Sequence, residues 1–185
     1  MKLPIVRYGD PVLRAKGKRV AAIDESVREL AANMIETMHE ANGVGLAAQQ
    51  IGEALQLTVI DVAGAEDQAS TMKLNGAEVE PNSAMPLVLV NPELTLHEET
   101  DLALEGCLSF PEITADIRRS ISVLLRAQSL EGEPLEIEAS GLLARALQHE
   151  VDHLNGILFI DRMSAATKVA LHSRLKRMQK ENAPR

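Results

Sequence analysis

The 185-residue chain has no tryptophan, one tyrosine, two phenylalanines and one cysteine. With Cys107 alone, an intramolecular disulfide is impossible, so the sequence does not read as a disulfide-stapled secreted domain. The scarcity of rings leaves little surface for stacking on bases, which argues against a dedicated single-strand nucleic-acid binder; no sequence-specific nucleic-acid partner is expected either. No run approaches the roughly 18 apolar residues of a membrane helix, and no membrane partner is expected. The opening Met1-Lys2-Leu3-Pro4 runs into charged residues without the apolar centre of a signal peptide, so a cytoplasmic location is expected.

What is present is ordinary for a globular protein: 45% hydrophobic and 25% charged residues, enough for one domain with a core of Leu, Ile, Val, Ala and Met. The net charge of −8 is unevenly placed. Residues 162–185 hold seven Lys/Arg against one acid, while the rest of the chain carries 12 basic and 26 acidic residues. A basic tail on an acidic body is either a docking site for an anionic partner or a solvated terminal helix.

Periodicity predicts a helix from an Asp24 cap to about residue 41, with Val27, Leu30, Met34 and Met38 on one face and Asn42-Gly43 as its stop. Strands are expected over residues 57–62, 87–90, 121–126 and 135–138, the second stopped by Asn91-Pro92. Residues 63–86 are polar and aperiodic and read as a surface loop or hairpin excursion. Ser140 is the expected cap of a largely apolar helix closed by Asn155-Gly156. A third helix is expected over about Ala165–Asn182. Short strands between early and late helices point to an α+β fold.

The sharpest feature is His149-Glu150-Val151-Asp152-His153. Histidines at i and i+4 stand one above the other on a helix and can reach one metal ion from the same side. Glu150, about 100° round from His149, lies close to that ion without ligating it. Two histidines and two acids in an apolar helix are expensive to bury without partners, and a metal removes much of that cost. A third ligand must come from elsewhere. His39, His97, His172, Cys107 and many carboxylates are candidates by composition. His39 and His172 are expected at the surface. Cys107 stands out because Gly106 permits close backbone approach and a thiolate is a strong ligand for zinc or ferrous iron.

Three segments together resemble one family. Gly43-Val44-Gly45-Leu46-Ala47-Ala48-Gln49-Gln50, Glu105-Gly106-Cys107-Leu108-Ser109 and Gln148-His149-Glu150-Val151-Asp152-His153 are similar, in order, to the three motifs of the peptide deformylases. The similarity extends from Pro11-Val12-Leu13-Arg14 to Asn155-Gly156. The resemblance implies a metal held by Cys107, His149 and His153, natively ferrous iron in many members, with zinc or another divalent ion also found. It implies Glu150 as general base and acid, and an oxyanion site made by the Gln50 side chain and the Leu108 N–H. Backbone near Val44, Gly45 and Gly106 would hold the substrate as an added strand. The implied reaction removes formate from N-formyl-methionyl nascent peptides. The implied fold is a set of antiparallel sheets around the metal-bearing helix, flanked by an N-terminal helix and the basic C-terminal one. The implied organisation is a catalytic body over residues 1–164, extended by a basic helix over 165–185. Two alternatives remain open at this point: a metallopeptidase sharing the helix motif, and a metal-binding relative without activity.

Two departures from the family pattern stand out. Thr114 occupies a position where an arginine is common, and residues 63–86 are longer than the usual connection. On the metal helix, Leu142, Arg145 and Ala146 share the His149 face. Leu142 and Ala146 would wall a methionine slot, with the Arg145 stem over its mouth, unless they are ordinary core. Given a nascent-chain substrate, the basic helix with Lys168, Arg174, Lys176, Arg177 and Lys180 becomes a candidate ribosome anchor.

Overall fold

The structure is a computed structural model describing residues 1–65 and 68–184. Residues 66 and 67 of the expected excursion, and residue 185 of the basic tail, lie outside the described residues. Helix α1 (Glu25–Glu40) starts where the Asp24 carboxylate accepts the Val27 N–H at 3.1 Å. It buries Val27, Ala31, Met34 and Met38 and ends before Asn42, whose φ of 54° turns the chain away. The following strands are β1 (Gly45–Ala47), β2 (Leu57–Ile60), β3 (Ser70–Leu74), β4 (Ala77–Val79) and β5 (Leu87–Leu96). Then come β6 (Thr100–Gly106), β7 (Thr114–Ser120), β8 (Ser122–Gln128) and β9 (Pro134–Ser140), with helices α2 (Gly141–Leu154) and α3 (Ala165–Asn182) last.

Seven strands form one antiparallel sheet in the order β1-β2-β5-β8-β9-β3-β4, and β6 and β7 form a separate hairpin. Helix α2 lies between them, touching both sheets, and α1 packs on β1 and β2. This is the expected α+β arrangement of antiparallel sheets around a central helix. β2 is buried at all four positions, as a strand must be when helices pack near both its faces.

Three local expectations are corrected. Asn91-Pro92 does not stop β5. The pairing with β8 shifts register between Val90 and Glu93, Asn91 takes a φ of 52°, and the strand runs on to Leu96. The Asn91 side chain clamps Val20 through both backbone groups, at 2.8 and 2.9 Å. Second, Ser140 does not cap α2 with its side chain. The cap comes from the preceding polar excursion: Ser70 Oγ accepts the Leu143 N–H at 3.0 Å, and the Ala69 carbonyl accepts that of Leu142. Gly141, at φ 67°, makes this approach possible, since a Cβ there would sit 2.0 Å from the Ala69 oxygen. Third, of the two readings of residues 63–86 the loop gives way to the hairpin: β3 and β4 form it, and β3 joins the main sheet by pairing with β9.

The few aromatics gather in one place. Phe110 stacks on Tyr8 at 4.8 Å and meets Phe159 edge-on at 5.1 Å, with Leu13, Ile113, Ile117 and Leu158 around them. α3 lies on this cluster through half-buried Leu171, Leu175 and Met178, and its Arg174 donates to the Glu112 carbonyl at 3.1 Å. No helix among the described residues is long and apolar enough to cross a membrane.

Candidate active site

The Glu105–Leu108 segment leaves the β6–β7 hairpin and faces α2 across a cavity of about 490 Å³. The opposite wall is the chain around Gly43, Val44 and Gly45, at the start of edge strand β1. Every residue given a catalytic, substrate-binding or metal-ligating role by the family resemblance or the metal-helix face lines this cavity except His153, which is 1% exposed. Cys107 Sγ lies 3.3 Å from His153 Nε2, and one donor atom from each of Cys107, His149 and His153 falls within 4.8 Å of the others. They form the one group of three or more such donors found among the described residues. His39, His97 and His172 are exposed and elsewhere.

A soft thiolate and two imidazoles suit zinc or ferrous iron. The surroundings fit a bound cation. Glu105 Oε2 lies 3.0 Å from His149 Nδ1, which leaves Nε2 as the donor toward the thiolate. Burial opposes ionisation of Glu105, but His149 and the Arg119 guanidinium outweigh it and hold the carboxyl well below the usual range. Burial, followed by the neighbouring His149, pushes His153 toward its neutral, ligating form. Glu150 is 4% exposed, and its Oε2 has no hydrogen-bond partner among the described residues. Burial is the main reason its pKa is pushed up to about 7.

The other polar groups are held in fixed poses. Gln50 Oε1 accepts the Ala47 N–H at 2.9 Å, while Nε2 donates to Ser109 Oγ at 3.2 Å and points at Cys107 Sγ, 3.6 Å away. Among the described residues, no acceptor takes the Leu108 N–H. A side chain at Gly45 would displace the Glu150 side chain, because a Cβ there would lie 2.4 Å from Glu150 Oε1 and 2.8 Å from its Cγ and Cδ. Leu142 and Ala146 line the cavity and also pack on the core, so the two readings of these positions are compatible. Thr114 lies at the rim, opposite Gly106 in the hairpin.

Arg145 differs from expectation. Its guanidinium is turned inward, to Glu105 Oε1 at 2.9 Å, the Ile117 carbonyl at 2.8 Å and Asp101 Oδ1 at 2.6 Å. The cost of burying Asp152 is likewise met by arginines: Arg119 Nη1 at 2.6 Å and Arg162 Nη2 at 2.7 Å. Arg119 also grips Glu105 with two nitrogens, at 2.8 and 3.0 Å, and so ties the hairpin to α2. Sequence reasoning missed Glu105 and Arg119 as supports. The one available signal was the presence of unpaired acids in an apolar helix.

A buried Cys-His-His donor set with an unpaired glutamate beside it, set in an α+β fold, defines a metal-dependent hydrolase. The chain belongs to the polypeptide deformylase family, whose model matches residues 2–169. It is 48% identical over 182 residues to a peptide deformylase of Opitutus terrae, covering 97% of this chain and 94% of that protein. It is 43% identical to one from Methylacidiphilum infernorum, covering 99% and 96%. Among solved structures, the Thermotoga maritima peptide deformylase shares 42% identity and a TM-score of 0.75 over 89% of this chain and 99% of that one. The Thermus thermophilus enzyme shares 36% and 0.82 over 98% and 99%. The chain is accordingly a metal-dependent deformylase.

Proposed function

We propose that this enzyme removes the formyl group from the N-terminal formyl-methionine of nascent polypeptides in the cytoplasm, releasing formate, with ferrous iron as its ion. The observation that carries the reading is the unpaired, buried Glu150 carboxylate facing a cavity lined by Cys107 and His149, with His153 Nε2 3.3 Å from the Cys107 sulfur. Cys107, His149 and His153 would hold the ion, which when bound supplies Lewis acidity toward water and the formyl carbonyl. Glu150 takes the proton of the attacking water and passes it to the departing amine. A carboxyl that titrates near neutrality suits both transfers. The Gln50 amide and the Leu108 N–H donate to the oxyanion that develops on the formyl oxygen; one such donor is typically worth about 3–4 kcal/mol. Backbone at Val44, Gly45 and Gly106 receives the peptide as a strand, and Leu142, Ala146 and the Arg145 stem form the methionine slot.

The deciding experiment is anaerobic purification with metal analysis and a formate-release assay on formyl-Met-Ala-Ser and its acetylated and unformylated forms. Turnover of the formylated peptide alone, air-sensitive and retained with iron, is the expected result. Cleavage of the unformylated peptide would instead mark a peptidase. In the same assay, Gly45→Ala is expected to lower kcat about 10²-fold with metal content unchanged, because the new methyl displaces the Glu150 carboxylate. Retention of full activity would show that the carboxylate need not sit where it does.

The exposed Lys176, Arg177 and Lys180 of α3 supply the anchor to ribosomal RNA in this reading. Deleting the helix would uncover the cluster beneath Leu171 and Leu175, so charge reversal at these three positions is the cleaner test. Co-sedimentation with ribosomes at low salt is expected to be lost while turnover of the tripeptide persists. Unchanged co-sedimentation would remove α3 from this role.

A further inference from the structure

Strand β6 has an open edge. Among the described residues it pairs only with β7, and it runs directly into Cys107. Along it, Glu105 faces inward and is buried, whereas Leu102 and Leu104 face outward, 56% and 66% exposed. Two large aliphatic side chains at i and i+2 on an unpaired edge strand are a liability unless something covers them. Leu104 also lines the cavity, so this outer face is continuous with the site.

We propose that Leu104 and Leu102 form a downstream extension of the substrate cleft, taking apolar side chains at the second and fourth residues of the formylated peptide. This rests on the deformylase reading above. A peptide with its formyl end near Cys107 and its backbone on the β6 edge must run antiparallel to β6, away from the metal site. Side chains of a strand alternate in direction. The methionine, opposite Glu105, points inward toward Leu142 and Ala146. The second residue then stands opposite Leu104 and points outward; the third stands opposite Ala103, and the fourth opposite Leu102. The cross-strand neighbours Asp116 and Arg118 flank the two leucines with one charge of each sign, so the ledge selects by apolar contact and not by charge. A second copy of the chain seated on this edge would lie across the mouth of the cavity, which makes the substrate the occupant that leaves the site usable.

The test compares kcat/KM for formyl-Met-Leu-Ala-Leu, formyl-Met-Ser-Ala-Leu, formyl-Met-Leu-Ala-Ser and formyl-Met-Ser-Ala-Ser. The first is expected to exceed the last roughly tenfold in the unaltered enzyme. Leu104→Thr should abolish the preference at the second residue only, and Leu102→Thr that at the fourth only, threonine being chosen to keep the strand. The readout is the ratio between peptides within each variant, whatever its absolute rate. Equal turnover of all four peptides by the unaltered enzyme would overturn the ledge while leaving the deformylase reading intact. No formate from any peptide would overturn that reading itself, and the ledge with it. Preferences that survive both substitutions also overturn the ledge, as does a leucine-dependent dimer at assay concentration with no peptide preference.

Discussion

Glu150→Gln is expected to lower kcat for formate release about 10³-fold while the bound metal stays at its full level. Glutamine keeps the shape and length of the side chain, so a residue that is 4% exposed and packed against Gly45 changes little in volume. What changes is chemistry. An amide can neither accept the proton of water nor deliver one to the departing amine. Glu150 is not among the three clustered donors, so losing its charge should not release the ion. Formate release and metal analysis on one preparation separate the two effects. Activity within a few-fold of the original enzyme would remove Glu150 from the proton-transfer role.

Cys107→Ala is expected to abolish turnover by a different route, through loss of the metal. Without the thiolate, two imidazoles on one helix remain, and such a site holds a divalent ion far more weakly than three converging donors. Cys107 is half-buried at the margin of the aromatic cluster, so the far-UV circular dichroism should be unchanged. The decisive measurement is metal content after dialysis. A protein that keeps its full complement would show that the third ligand lies elsewhere.

The two predictions draw on residues that were legible to different degrees. His149 and His153 follow from helical spacing alone. Cys107 on its own reads as a buried thiol and becomes a candidate ligand only through its motif. The hairpin that carries it was not legible at all. In Asp101-Leu102-Ala103-Leu104-Glu105 the leucines face solvent while Glu105 is buried, so the usual alternation is reversed. That reversal is stable because Arg145 and Arg119, distant in sequence, reach in to pair with Asp101 and Glu105. The 63–86 segment was hidden for a similar reason. Its polar Ser70 caps α2, and β3 is ordered by pairing with β9, 69 residues downstream at Thr71↔Ser140. By contrast α1 was readable because its Asp24 cap is local.

The contact between Gly45 and Glu150 has a consequence for how such a chain can change over generations. The two positions are one steric unit: any side chain at 45 meets the Glu150 side chain from its Cγ outward and must displace it. Enlarging position 45 first pushes the carboxylate aside. Shortening position 150 first draws it back from the reacting atoms. Each single change therefore costs activity, which ties the residue at 45 to the acid at 150.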